Sequence, residues 1–63
     1  MPFAQITIIE GRSKKKKADL IREVTEAIHK SIGAPKQSIR VVVYEVQKSE
    51  WGIGGETAEA LGR

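Results

Sequence analysis

Cysteine is absent from the 63 residues, which excludes disulfides and thiolate metal sites. Histidine occurs once, at His29, and one imidazole cannot build a metal site, so no metal is expected. Aromatic side chains are as scarce, with one Phe, one Tyr and one Trp. No apolar run reaches the ~18 residues that a membrane-spanning helix needs, so no membrane partner is expected. No secretory apolar segment follows Met1, and a cysteine-free chain suits a reducing compartment, so a cytoplasmic setting is expected.

What remains is a small, mildly basic chain. Forty per cent of it is hydrophobic and its formal charge is +3, which is globular composition rather than disorder. A chain this short hides only about 60% of its unfolded surface on folding and is marginally stable. Small scaffolds compensate with disulfides, metals or partners. With the first two excluded, self-association of a single domain spanning residues 1–63 is the remaining device.

The hydrophobic pattern predicts a strand over residues 3–9, with Ala4, Ile6 and Ile8 on one face and Phe3, Gln5, Thr7 and Ile9 on the other. Glu10-Gly11-Arg12 breaks it with a turn. Ser13 is a fair N-cap, and Leu20, Ile21, Val24, Ala27, Ile28 and Ile32 keep helical spacing up to Ile32. Gly33 suits a left-handed C-terminal cap, and Pro35 prevents continuation. Glu26 and Lys30 form a favourable i, i+4 pair, and His29 is expected in solvent on the polar face. Residues 39–46 form a second strand, with Arg40, Val42, Tyr44 and Val46 sharing a face. Strand, helix, strand is a βαβ unit with parallel strands and a right-handed crossover. Both strands carry apolar residues on both faces, and one helix covers only one of them. Another subunit is expected on the second face. The tail, with Trp51-Gly52-Ile53-Gly54-Gly55, suits tight turns or a short hairpin reaching a neighbour.

Two features carry chemical interest. Pro2 follows Met1, and removal of Met1 leaves a free secondary amine. An α-amino group titrates near about 7.7–8.0; desolvation or a neighbouring cation lowers it further, into the range wanted of a general base. Arg40 is a charge on an otherwise apolar strand face, and such a charge is rarely buried unpaired. Arg12, at a strand-to-helix turn, reads by itself as a solvated side chain. Lys14-Lys15-Lys16-Lys17 is unusual, because the first helical turn prefers acids. A solvated helix end is the favoured reading of that run, ahead of substrate steering or nonspecific nucleic-acid contact; no specific nucleic-acid partner is expected.

Taken together, Met-Pro, the strand ending in Glu10-Gly11-Arg12-Ser13, the helix, Gly33-Ala34-Pro35, Ile39-Arg40-Val41 and Trp51-Gly52-Ile53-Gly54-Gly55 resemble the 4-oxalocrotonate tautomerase family from end to end. The resemblance implies α+β subunits built on one β-α-β unit, assembled as a hexamer (a trimer of dimers). It implies cofactor-independent proton transfer within unsaturated 2-hydroxy or 2-oxo dicarboxylates such as 2-hydroxymuconate, in aromatic catabolism. Pro2 then matches the catalytic base. Arg12 and Arg40 match substrate-binding arginines supplied by neighbouring subunits, with Arg40 also placed to stabilise the developing dienolate. Trp51 takes the place of a bulky aromatic, often phenylalanine, that keeps the amine in an apolar pocket. Relatives also run hydration, dehalogenation or decarboxylation on this scaffold, for which Glu10, Glu45 or Glu50 are conceivable activators. A non-catalytic subunit of a hetero-hexamer is a further alternative.

Overall fold

The fold is that of a computed structural model describing residues 1–63. Strand β1 (Phe3–Ile9) leads through a turn into helix α1 (Lys14–Ile32), and a short 3₁₀ turn over Lys36–Ser38 returns the chain to strand β2 (Arg40–Val46). The strands pair in parallel from Phe3 beside Arg40 to Ile9 beside Val46, as a βαβ unit requires. A second 3₁₀ turn over Lys48–Glu50 precedes a hairpin of β3 (Gly52–Ile53) and β4 (Glu56–Thr57). The second strand is one residue shorter than the sequence pattern suggests, because Ile39 ends the 3₁₀ turn, its N–H bonded to the Lys36 carbonyl at 3.1 Å.

Each boundary has a local cause. The Ser13 hydroxyl accepts from the Lys16 N–H at 3.2 Å and caps α1, satisfying a donor that the first turn leaves free. At the other end Gly33 adopts φ +75° and its N–H bonds to the His29 carbonyl, a conformation costly for any residue with a Cβ. Gly54 and Gly55 lie at φ +61° and +93°. Two consecutive positive φ values give the two-residue turn whose twist matches a hairpin.

Two expected side-chain arrangements are replaced by others. Glu26 pairs with Lys36 of the 3₁₀ turn rather than with Lys30, because the returning chain brings a cation to it. His29 is half-buried, and its Nδ1 lies 2.8 Å from the Ala34 carbonyl; the turn after Gly33 folds back over the ring, which therefore donates to it instead of facing solvent. Likewise the lysine run is not uniformly solvated. Lys17 forms a 2.8 Å ion pair with Glu45 on β2 and Lys15 reaches Asp19 at 3.3 Å, whereas Lys14 and Lys16 are exposed and unpaired.

The register places Ala4, Ile6 and Ile8 on the same sheet face as Val41, Val43 and Glu45. Lys17 of α1 reaches Glu45, so this is the face under the helix. Leu20, Val24 and Ile28 are half-buried against it, while Ile21 and Ile32 stay 38% and 66% exposed. The opposite face carries Phe3, Val42, Tyr44 and Val46 with no layer over it; Phe3 and Tyr44 are 60% and 49% exposed. Only Ile39 and Ala58 are buried outright.

Size measures agree with an incomplete core. The radius of gyration is 14.5 Å, against about 11 Å for a compact chain of this length. The accessible surface is 4786 Å², against about 4,000 Å² for a compact monomer of this mass. The excess of roughly 800 Å² equals one partner's share of an ordinary protein interface. Substituting Val42→Asp, a charge on the open face, is expected to lower both the sedimenting mass and the thermal midpoint. Sedimentation velocity with circular dichroism checks this, and an unchanged mass and midpoint would show that this face is not an interface.

Candidate active site

Pro2 and Arg40 meet at the N-terminal edge of the parallel sheet. The Arg40 N–H donates to the Pro2 carbonyl at 3.0 Å, so the first ladder bond fixes the proline backbone before β1 begins. Pro2 is half-buried, whereas Met1 beyond it is 87% exposed. With Met1 attached, the Pro2 nitrogen is an amide and holds no proton.

Arg40 points its side chain to the open sheet face, opposite the helix. Its Nη1 donates to the Gln37 carbonyl at 2.7 Å. Gln37 lies in the 3₁₀ turn, which is anchored by buried Ile39 and by the Lys36–Glu26 pair. Arg12 is held by the same device at the other end of the sheet, its Nη1 donating to the Ile9 carbonyl at 3.1 Å. Each guanidinium therefore spends one N–H on the backbone three residues upstream. Neither pairs with a carboxylate, and the rest of each fork remains for a ligand. A planar fork with free donors suits bidentate contact with an anion.

Trp51 follows the second 3₁₀ turn, half-buried at the root of the hairpin. Its carbonyl accepts from the Ala58 N–H at 2.7 Å, and Ala58 is fully buried. Further bonds from Glu59 N–H to the Lys48 carbonyl at 3.2 Å and from Arg63 N–H to the Ala58 carbonyl at 2.9 Å close the tail on itself. The hairpin is thus a self-bonded arm carrying the tryptophan, built without help from the main sheet's ladder.

The four sequence-predicted site residues consequently fall into two groups. Pro2 and Arg40 lie at the N-terminal edge of the sheet, and Arg12 and Trp51 beyond its C-terminal edge. Seven strand residues separate the groups, roughly 20 Å at the rise of a β-strand, far more than a six-carbon diacid spans. One chain does not bring them together, and it encloses no cavity. Of the three carboxylates weighed as water activators, Glu45 is engaged with Lys17 beside the helix, while Glu10 and Glu50 are exposed. No group of three or more His, Asp or Glu side chains is placed to hold a metal ion, and no helix is long and apolar enough to cross a membrane.

Comparison with known proteins now carries weight. Residues 2–61 match the family model described as Tautomerase enzyme. The chain belongs to the tautomerase family. It is 57% identical to a 2-hydroxymuconate tautomerase of Stutzerimonas stutzeri over the full length of both chains. A 4-oxalocrotonate tautomerase isozyme of Methylibium petroleiphilum superimposes with a TM-score of 0.94 at 52% identity, covering 98% of this chain and all of the other. A heterohexameric 4-oxalocrotonate tautomerase of Chloroflexus aurantiacus gives 0.92 at 33% identity, covering 97% of this chain and 98% of its own. The tautomerase is therefore an isomerase with the β-α-β fold and C-terminal hairpin that its sequence implies.

The backbone acceptors Ile9 and Gln37 and the Lys36–Glu26 tether escape sequence reasoning. A carbonyl has no sequence signature, and Lys36 meets Glu26 only once the chain has turned. The hydrogen bond from Lys36 holds the Glu26 carboxyl below its ordinary value of 4.5, helped by the charges of Lys36, His29 and Lys30 against slight burial. A carboxyl lowered in the folded state stabilises above its unfolded value and loses that contribution as pH falls through the folded one. The parent is therefore expected to melt above Glu26→Gln at pH 7, with the two midpoints converging below pH 4.5; parallel curves by differential scanning fluorimetry would refute the assignment.

Proposed function

We propose that the tautomerase converts 2-hydroxymuconate and related unsaturated 2-hydroxy dicarboxylates to their 2-oxo isomers in the cytoplasm, with processed Pro2 as the general base. The reading is supported above all by the full-length identity to the Stutzerimonas stutzeri enzyme, together with proline at residue 2 and arginine at residues 12 and 40 of this chain. The proton transfer is redox-neutral and loses no atom, so it requires no electron carrier.

The step balances simply. The Pro2 nitrogen takes the 2-hydroxyl proton, the negative charge spreads over the dienolate, and the same proton returns at a carbon along the conjugated chain. A single base serves both transfers if it is neutral at rest. In the proposed assembly the two guanidinium groups would disfavour a positive charge on the amine and the Trp51 ring would exclude water from it, both effects that favour the neutral base. Arg40, anchored on Gln37, offers its free donors to the 2-oxo acid end, where charge develops. Arg12 receives the distal carboxylate.

Because the two groups of residues lie at opposite edges of one chain's sheet, the site is proposed to form between protomers, in a homohexamer assembled as a trimer of dimers. The edge bearing Pro2 is complemented by a neighbour's edge bearing Arg12 and Trp51 and, as the family resemblance implies, by the Arg40 guanidinium of a neighbouring subunit. The open apolar sheet face supplies the adhesive surface. A hetero-hexamer, the assembly of the Chloroflexus aurantiacus relative, is the form this proposal takes if a second, similar chain is co-expressed.

Intact mass is expected to show loss of Met1. A form extended by one residue ahead of Pro2, which turns the base into an amide, is expected to lose at least about 10²-fold in kcat for 2-hydroxymuconate, the lower share of general-base catalysis. Retained turnover would remove Pro2 from the mechanism. Arg40→Ala is expected to lower kcat on the order of 10²–10³, the usual effect of removing a donor aimed at developing charge. Arg12→Ala is expected chiefly to raise KM, as uniform binding does. Equal kcat losses in steady-state assays would contradict these separate roles.

A further inference from the structure

The charge of this chain is concentrated in one place. Residues 10–19 hold five cations, Arg12 and Lys14 to Lys17, against two acids, Glu10 and Asp19. That segment therefore carries +3, the whole formal excess of the chain, and the remaining residues balance. Lys15 and Lys17 have acidic partners at 3.3 and 2.8 Å, but Lys14 and Lys16 have none and are exposed. Two positions apart on a helix, they project to different sides of the first turn. They form no pocket and quench no carboxylate; they set up a field.

The placement is unfavourable for the helix. Its first turn contains no acid, although the macrodipole favours acids there and disfavours cations. Ser13 opens a capping motif whose natural completion is a Glu at position 16, and that position is lysine. Lys14 and Lys16 break this local rule with no compensating contact, and natural proteins break such rules chiefly at functional sites. Arg12 lies two residues before Lys14, with no acidic partner of its own and one N–H on the Ile9 carbonyl.

We infer that Lys14–Lys17 form an electrostatic collar that determines specificity for doubly charged substrates, raising their concentration at the end of the protomer where Arg12 receives the distal carboxylate. The inference rests on the role proposed above for Arg12. At 0.01 M salt the screening length is about 30 Å, longer than the 24 Å second dimension of the chain, so the collar acts across the protomer's width. At 0.15 M it falls to about 8 Å and the collar acts only near Arg12. A potential acts on a dianion with twice the energy it exerts on a monoanion, so its effect on log kcat/KM doubles.

The test uses the full-length processed enzyme with 2-hydroxymuconate and with 2-hydroxy-2,4-pentadienoate, the same dienol without its distal carboxylate. For the parent, kcat/KM for the dianion is expected to fall about tenfold from 10 to 300 mM NaCl, in line with the lower range of electrostatic steering, and about threefold for the monoanion. The variant Lys14→Glu/Lys16→Glu reverses the local charge and restores acids to the first turn, so it is expected to melt no lower than the parent. It is expected to lose about tenfold in kcat/KM for the dianion at 10 mM salt, to show little salt dependence, and to keep kcat within twofold. Lys14→Gln/Lys16→Gln is expected to lie between. A flat salt profile in the parent, equal salt slopes for the two substrates, or a charge-reversed variant matching the parent overturns the inference while leaving the tautomerase reading intact. So does a loss in kcat at every salt concentration, because a field acting on approach spares the bound step. A parent that turns over neither substrate overturns both.

Discussion

A two-stranded sheet has two broad faces, and a single helix of 19 residues covers one of them. The rest of this protein follows from that mismatch. The uncovered face carries Phe3, Val42, Tyr44 and Val46, a set of side chains whose burial is worth a few kcal/mol in total at the usual 25 cal/mol per Å². For a domain this small such a sum is comparable to the entire margin of stability. In the proposed assembly folding and association would be one equilibrium, and the stability of the protomer would depend on its own concentration. The two free sheet edges add to the same pressure, since unpaired strand edges recruit partners unless they are blunted.

The same strands that leave a face open also set the geometry of the candidate site. Parallel pairing begins with Phe3 beside Arg40, which puts the Pro2 backbone and Arg40 in direct contact at one edge. Six residues later the strands end together, and everything that follows them, Arg12 on one side and the Trp51 arm on the other, lies at the opposite edge. A shorter strand would bring the groups closer but would leave less sheet to cover. At this length a diacid cannot bridge them within one chain, so completion of the site and burial of the open face call for the same event. Each arginine is prepared for it in the same way. One N–H is tied to a carbonyl three residues upstream, at Ile9 or Gln37, which restricts the side chain without neutralising its charge.

Legibility from sequence divides along the range of the interaction. Period-two and period-3.6 patterns are local, and they placed β1 and the limits of α1, Ser13 cap and Gly33 stop included. The unfilled second face was equally legible, because Val42 and Tyr44 alternate with Val41 and Val43 whatever the tertiary fold. Of the two forms that Gly54 and Gly55 allowed, tight turns or a short hairpin, the hairpin is the one formed. What escaped was determined by the return of the chain. Glu26 prefers Lys36 of the following turn to Lys30 of its own helix, and His29 is drawn from the polar face to the Ala34 carbonyl. Lys17 leaves solvent for Glu45, a contact across 28 residues that no helical spacing announces. For the site, residue types were readable through a family pattern, but the separation of Pro2 and Arg40 from Arg12 and Trp51 required the strand register.

Helix α1 is built differently at its two ends, and the difference parallels the division of the site. Its C-terminal end has every favourable device: a left-handed Gly33, cations His29 and Lys30 in the last turn, and the Glu26–Lys36 tie to the next segment. That end stands over the edge that carries Pro2 and Arg40, where the proposed proton transfer would tolerate little displacement, since a misplacement of about 1 Å costs as much as 10²-fold in rate. The N-terminal end has a cap and an ion pair to β2 but also two uncompensated lysines, against the macrodipole. That end adjoins Arg12, whose proposed task is to attract and hold a remote carboxylate, and attraction through a field is insensitive to ångström placement. Under the proposed roles, rigid order sits where geometry would govern the rate, and loose positive charge sits where only the potential would matter. A helix optimised for its own stability would have placed acids in that first turn and weakened the field in front of Arg12.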